Sequence, residues 1–409
     1  MVTIDLPAKY PSRPESRGNN LDDVRRNNLS AVLRLVHTTG PIARAQLTRE
    51  TGLNRSTVGA LVGELLSLGL VSESLPDTAR QVGRPSPVIV AGREAVALAI
   101  HPELDSVIIG LVALGGQVIK RIRYETTGVP AVAEVVNVVS AVVAGMRDEL
   151  DTSFRTVGVG LAVPGLVRAS DGTVNLAPHL GWHHEPLAQL LSDALHLPVF
   201  ASNDAAAGAV AESLFGVGIG VRDMVYLNGG ASGIGGGLVN DGALMTGASG
   251  YAGELGHTLV NSAGSLCHCG AKGCLETEVV RAPLLDALGL AASTQIDMLE
   301  QTLLARLADQ PDRDLLDVID RQIDFLAVAL RNAVNFLNPQ LIVLGGYLGV
   351  LLEVAPERLR AAVAGSAMTG PREAVQITRA SLGSDLLIVG AAQLALEQVL
   401  ANPSRFPRA

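Results

Sequence analysis

All three cysteines of this chain, Cys267, Cys269 and Cys274, lie within eight residues of one another, and His257 precedes the first by ten. Three thiolates and one imidazole make a closed Cys3His set, the composition of a structural zinc site, so Zn2+ is the expected cofactor. Zinc takes sulfur and nitrogen and wants four donors at roughly 2.0–2.3 Å. Gly270 and Gly273 fall inside the cluster, where a tight knuckle needs backbone freedom. The alternative is a patch of small residues with an adventitious disulfide, and a Cys267–Cys269 bridge would close a strained loop. His268 is a spare ligand. Set between two cysteines it is expected to point away, which leaves 257–274 as the metal stretch.

Two carboxylates flank the donors, Glu254 three residues before His257 and Glu276 two after Cys274. Carboxylates accept hydrogen bonds strongly and suit a polyol; spacing alone equally allows two solvated surface charges. Asp204 stands beside Asn203 at the end of an apolar strand, where α/β sheets collect ligands. It could act as general base on a sugar hydroxyl, or cap the helix that follows, or both. The run Gly229–Gly237 follows another strand, and such backbone can cradle phosphate, although glycine-rich turns are common.

The elements that must position these groups begin at Ala95. Val96–Ile100 and Val107–Val112 read as paired strands, followed by Gln117–Tyr124 and a helix over Ala131–Met146. Val157–Val163 and Pro198–Ala201 read as buried strands, with an Ala-rich helix from Asp204 to about Leu214 and a strand at Met224–Asn228. Helices are expected over Ala282–Leu290, Met298–Ala308 and Asp314–Leu337, then a strand at Leu341–Leu344, a separate apolar piece at Leu386–Val389 and a final helix, Ala391–Leu400. Strands followed by helices, twice over, imply two α/β lobes with a cleft between them.

Ahead of the lobes the texture differs. Residues 1–20 show no periodicity and read as a flexible tail. Residues 21–75 carry three helical patterns: one from Asp22-Asp23 to Gly40-Pro41, a short one from Arg44 to Thr51, and one from Arg55 to Leu68 with Asn54 as its cap. A short helix, a turn at Gly52 and an amphipathic helix with a polar, basic start is the helix-turn-helix layout. Its second helix would offer Asn54, Arg55, Ser56 and Thr57 to base edges in the major groove, with Arg44 nearby. Leu70-Val71 reads as a strand and Gln81–Pro85 as a turn, which makes the head winged. Arg84, held between Gly83 and Pro85, either reaches into a narrow minor groove or is a solvated arginine in a linker.

Charge fits this division. The chain carries −9 overall, but residues 1–93 hold 12 Lys/Arg against 8 Asp/Glu, so only the head suits a polyanion. At 3% aromatic the chain lacks stacking platforms for single-stranded nucleic acid, so the expected partner is double-stranded operator DNA. No run of 18 apolar residues appears and the first ten residues lack a signal-peptide core. A cytoplasmic, nucleoid-associated protein with no membrane partner is expected, consistent with reduced, metal-bound cysteines.

From Ala95 to Leu400 the chain resembles the ROK family, which contains bacterial sugar kinases and sugar-responsive transcriptional repressors. The resemblance is carried by V-G-V-G-L-A-V-P-G-L-V (157–167), A-P-H-L-G-W (177–182), S-N-D-A-A-A-G-A (202–209), S-G-I-G-G-G-L-V (232–239), A-G-E-L-G-H (252–257), C-H-C-G-A-K-G-C-L-E (267–276) and N-P-Q-L-I-V-L-G-G (338–346). With its head the whole chain is similar to the repressor branch, the group of the xylose and N-acetylglucosamine repressors. The resemblance implies a two-lobed actin-like (ribonuclease H-like) ATPase fold over 86–409, with a winged helix-turn-helix domain over 21–85. It implies zinc at His257, Cys267, Cys269 and Cys274. It implies that Asn203, Asp204, Glu254, His257 and Glu276 hold a sugar effector, with Asp204 matching the kinase base, and that the chain works as a homodimer or homotetramer.

The chain departs from the kinases where they open on an Asp-x-Gly-Gly-Thr phosphate loop. Here the stretch is Ala97–Ser106, in which Pro102 removes a donor and Glu103 and Asp105 would repel phosphate. Ala231-Ser232 likewise replaces the second loop's Gly-Thr pair. The expectation is a sensor and not an enzyme, with a sugar kinase carrying a DNA-binding head as the rival.

Overall fold

The computed structural model describes residues 20–74, 87–309 and 312–406. The head is built from α1 (Leu21–Thr39), β1 (Ile42–Ala43), α2 (Arg44–Thr51), α3 (Arg55–Ser67), β2 (Val71–Ser74) and β3 (Val88–Ala91). Asn20 starts α1 by accepting the Asp23 N–H at 2.8 Å, and α2 stops at Gly52, whose φ of 69° suits glycine. Asn54 caps α3 by accepting the Thr57 N–H at 2.9 Å. The three strands form one antiparallel sheet in the order β1-β3-β2, giving the winged helix-turn-helix. β3 lies beyond residue 85, so the head's sheet takes in residues that the sequence reading assigned to the second unit. Arg84 and residues 1–19 lie outside the described residues.

The first lobe runs β4 (Ala95–Pro102), β5 (Ser106–Ala113), β6 (Gln117–Glu125), α4 (Val132–Gly145), α5 (Arg147–Ser153), β7 (Arg155–Val163), β8 (Leu166–Val167), β9 (Val174–Ala177), β10 (Trp182–Glu185), α6 (Leu187–Leu195), β11 (Val199–Asn203) and α7 (Asp204–Phe215). The second runs β12 (Met224–Gly230), β13 (Gly233–Asn240), β14 (Ala243–Leu244), α8 (Leu275–Glu278), α9 (Ala282–Leu288), α10 (Ile296–Asp309), α11 (Arg313–Leu337), β15 (Leu341–Gly345), α12 (Gly346–Val354), α13 (Pro356–Ser366), α14 (Thr369–Ala374), β16 (Gln376–Arg379) and α15 (Leu386–Ala401). Each lobe holds a five-stranded sheet, β11-β7-β4-β5-β6 and β14-β13-β12-β15-β16. Three strands are parallel in each, and the others are antiparallel. The same mixed sheet twice is the two-lobed actin-like pattern.

Two stretches differ from the sequence reading. Gly229–Gly237 is no open loop but the end of β12 and the start of β13, joined at Ala231-Ser232. Alternating small residues in a paired strand read as a turn because glycine hides the period-2 pattern. Leu386–Val389 is not separate from the final helix: α15 is continuous from Leu386 to Ala401. The stretch Gly383–Ala401 that contains it could cross a membrane by length and composition alone, yet most of that window is buried inside the protein. It packs on β4, β5, β7 and α7 on one side and on α1 on the other. At Gly390 it lies so close to α7 that an added Cβ would stand 2.1 Å from the Ala207 carbonyl oxygen.

The head is therefore docked. Leu29, Val32, Leu33 and Val36 of α1 share one apolar core with Leu396, Val399, Leu400 and Phe406. Ser30 Oγ donates to the Leu400 carbonyl at 2.6 Å, and Arg34 pairs with Glu397 at 2.9 Å. His37, 2% exposed, closes the contact. The Gly115 N–H donates to its Nδ1 at 2.8 Å, so the ring proton sits on Nε2 and donates to Gln393 Oε1 at 2.9 Å. Its ring meets the edge of Phe215, the last residue of α7, at 5.1 Å.

Burial pushes the His37 imidazole down to about 4, outweighing the Gln393 hydrogen bond, with Arg34 and Glu397 the charged groups facing it. The unfolded chain titrates near 6.5, so it binds the proton more readily than the native state. The stabilisation is complete above about pH 6.5 and is lost as pH falls toward 4. Protection factors of the α1 amides, corrected for intrinsic exchange, are expected to fall as pH drops across that window in the native protein and to show no such step in His37→Gln. Flat protection of α1 from pH 7 to 4.5 would contradict the burial argument.

Candidate functional site

The parallel strand β11 ends at Asn203, and α7 starts there. The sequence allowed Asp204 as the helix cap, but Asn203 takes that place: its Oδ1 accepts the Ala206 N–H at 3.0 Å and its Nδ2 donates to the Gly165 carbonyl at 3.0 Å. Asp204 is the first helical residue, and its Oδ1 accepts the Ala205 N–H at 2.8 Å. Burial holds the Asp204 carboxyl above the usual range, against the pull of His101.

The turn that departs from the kinase pattern lies on the same side. β4 and β5 are joined tightly, with the Glu103 N–H donating to the Ser106 carbonyl at 2.8 Å. His101 is 4% exposed; its Nδ1 lies 2.9 Å from the Ala162 carbonyl and its Nε2 3.5 Å from Glu103. Arg123 of β6 spans the turn, donating to Glu103 and to Asp105 at 2.8 Å each. Burial alone would lower His101 and raise Glu103. Their pairing reverses both, holding the imidazole above its ordinary range and, with Arg123 and Ser106, the Glu103 carboxyl at about 2.

The floor of the cup is β13. A Cβ on Gly235 would stand 2.6 Å from Ala205, and one on Gly233 would stand 2.6 Å from Glu276 Oε2. The glycine run thus serves close packing under Asp204 and Glu276. Glu254 lies 4.0 Å from His257 Nε2, and Glu276 lies 3.6 Å from His257 Nδ1. Partial burial, then the charges of Asp204 and Glu276, push the Glu254 carboxyl up. Glu254 thus sits between the other two carboxylates.

The predicted metal donors converge. One atom each from His257, Cys267, Cys269 and Cys274 lies within 4.8 Å of the others. His257 Nδ1 is 3.5 Å from Cys267 Sγ, and Cys269 Sγ is 3.7 Å from Cys274 Sγ. A tetrahedron with zinc–donor bonds of about 2.0–2.3 Å has edges of roughly 3.5–3.8 Å, so the set fits the ion. A second set, His257, Cys267, His268 and Glu276, overlaps it, with His268 Nδ1 3.0 Å from Glu276. Its single thiolate suits zinc less well. The knuckle is tied down by Glu278, which the sequence reading passed over. That buried carboxylate accepts from Ser265 N–H at 2.9 Å and Asn261 Nδ2 at 2.8 Å.

In the head, Arg55 is exposed at the start of α3. Asn54 is committed to capping, also accepting the Ser56 hydroxyl at 2.7 Å, while Arg44 is ion-paired with Glu73 of β2.

The ROK family profile matches residues 104–398. The chain belongs to the ROK family. A xylose repressor of Caldicellulosiruptor bescii is 27% identical over 399 residues, covering 92% of this chain and 97% of the relative. A glucokinase of Thermotoga maritima is 30% identical over 303 residues, 71% of this chain and 94% of that one. The crystal structure of a ROK transcriptional regulator, a homolog of the E. coli MLC protein, superposes with a TM-score of 0.73 at 25% identity, over 92% of this chain and 97% of the other. ROK kinases thus match the lobes, whereas ROK regulators match head and lobes together.

Three ROK-domain features escaped the sequence reading: the His101–Glu103–Arg123 chain, the Glu278 strut, and His179, whose ring stands 5.7 Å from that of His268. The first had a signal, the alternation of acidic residues with His101 in the turn. The other two depend on contacts between segments far apart in sequence.

Proposed function

We propose that this ROK protein is a sugar-responsive, DNA-binding transcriptional regulator that represses carbohydrate-metabolism genes. Asp204, Glu254, His257 and Glu276 hold sugar hydroxyls, with Asn203 fixing the start of α7. Zn2+ is held by His257, Cys267, Cys269 and Cys274 and keeps the knuckle folded, so that His257 turns one ring nitrogen to the ion and the other toward Glu254. Paired heads of a homodimer or homotetramer meet an inverted-repeat operator in the cytoplasm. Arg55, Ser56 and Thr57 approach base edges in the major groove, Asn54 supports them as the cap, Arg44 lies nearby, and Arg84 is assigned to the minor groove.

The observation that carries this reading is one helix contact. α7 starts at Asp204 in the cup and ends at Phe215 against His37 of the head's α1. Between them α7 meets α15 backbone to backbone at Ala207–Gly390. A sugar that draws in Asp204 loads a stiff element whose far end touches the DNA-binding unit, and it lowers operator affinity by binding one state better than the other.

The test is operator binding by fluorescence anisotropy, on genomic fragments recovered with the protein, with and without a panel of sugars. One sugar is expected to weaken binding by about 5–150-fold. Phe215→Ala is expected to keep sugar binding and lose that response. If no sugar moves operator affinity or melting temperature, the protein is a regulator that answers to something else.

A further inference from the structure

We propose that the cup accepts an uncharged sugar and that the carboxylates of the β4–β5 turn, with those of the cup, exclude its phosphate ester. The inference rests on the sugar-site reading above and names the class of effector.

A phosphomonoester brings about −1.5 to −2 charge and needs free donors or cations. Among the described residues, the β4–β5 turn and the first turn of α7 have the groups that could supply them already engaged. Arg123 is spanned by Glu103 and Asp105 at 2.8 Å each. His101 gives one ring nitrogen to the Ala162 carbonyl at 2.9 Å and turns the other to Glu103 at 3.5 Å. Glu103 is further fixed by the Ser106 hydroxyl at 2.9 Å. The first turn of α7 has its Ala205 and Ala206 N–H groups taken by Asp204 and Asn203.

What is left facing a ligand is acidic. Glu254 and Glu276 stand 4.0 and 3.6 Å from the two ring nitrogens of His257, and Asp204 stands at the start of α7 above Gly235. Zinc does not reverse the sign, because three thiolates outweigh a divalent ion. Carboxylates facing hydroxyls make charge-assisted hydrogen bonds, while facing a phosphate they repel.

Isothermal titration of the full-length, zinc-loaded protein with free aldoses, N-acetylhexosamines and their terminal phosphate esters tests this. A free sugar is expected to bind, with its ester at least about 100-fold weaker. In Glu103→Gln, which releases one face of His101 and Arg123, the free sugar should bind as before and the ratio should fall to about tenfold. An ester that binds as well as or better than the free sugar overturns the proposal, and an unchanged ratio in Glu103→Gln overturns the role of the turn. Binding of neither class, free or phosphorylated, instead overturns the sugar-site reading and this inference with it.

Discussion

In Cys269→Ala, zinc content is expected to fall from about one ion per chain to near zero, and sugar affinity to fall by at least about 100-fold in the same sample. The two losses belong together because, apart from the Glu278 strut and a few backbone hydrogen bonds, the four donors are what hold the knuckle. Its backbone closes on itself through Cys267 N–H to Ala271 and Gly273 N–H to Ser265, at 2.8 and 2.9 Å. Its apolar side chains face outward instead, Leu266 at 69% and Leu259 at 58% exposure. Burial pushes the Cys267 and Cys274 thiols above their ordinary range, so without a cation they stay protonated and make poor partners for one another. Three protons must leave when the ion enters, which makes its binding stronger at higher pH. Glu276 and His257 hang from this knuckle, and Glu254 packs beside it. Elemental analysis and calorimetry on one preparation decide the matter: a variant that loses zinc but binds sugar as before breaks the link.

The second large effect concerns chemistry. With Mg-ATP and the sugar that releases the operator, phosphorylation is expected to stay at the uncatalysed background, a factor of 10⁶ or more below an active kinase. Phosphoryl transfer depends almost wholly on positioning and charge stabilisation of the phosphates. Here the tight β4–β5 turn presents Glu103 and Asp105, both held by Arg123, and no open glycine-rich cradle. Asp204 keeps its place at the head of α7 and its raised proton affinity, but a sugar hydroxyl that gives it a proton has no phosphoryl group to attack unless a nucleotide is held beside it. A coupled assay showing robust turnover that vanishes in Asp204→Asn would make this a kinase carrying a DNA-binding head.

The site was legible where residue type alone dictates chemistry. Three cysteines and a histidine at close spacing have few uses, and the fold brings them together. The α2–Gly52–α3 head was legible because caps, a left-handed glycine and a 3.6-residue period all agree there. Glycines 233–237 misled because a strand without side chains shows no alternation, and their purpose, contact with α7 and Glu276, is set by distant partners. Leu386–Val389 misled because a helix buried on several sides is apolar all round and loses its periodicity. Asp204 was placed correctly at the strand end, but whether it or Asn203 caps α7 is decided by backbone geometry that sequence does not carry.

The docking of α1 on α15 bears on how such proteins can be re-engineered. Leu400, Glu397 and Gln393, near the far end of the chain, hold Ser30, Arg34 and His37 near its beginning. A chimera made by grafting another regulator's DNA reader onto these lobes would cut through a shared core unless the matching surface of the terminal helix travelled with it. The unit of exchange is thus discontinuous in the gene, and a simple fusion at Ala91 would give a binder deaf to its ligand.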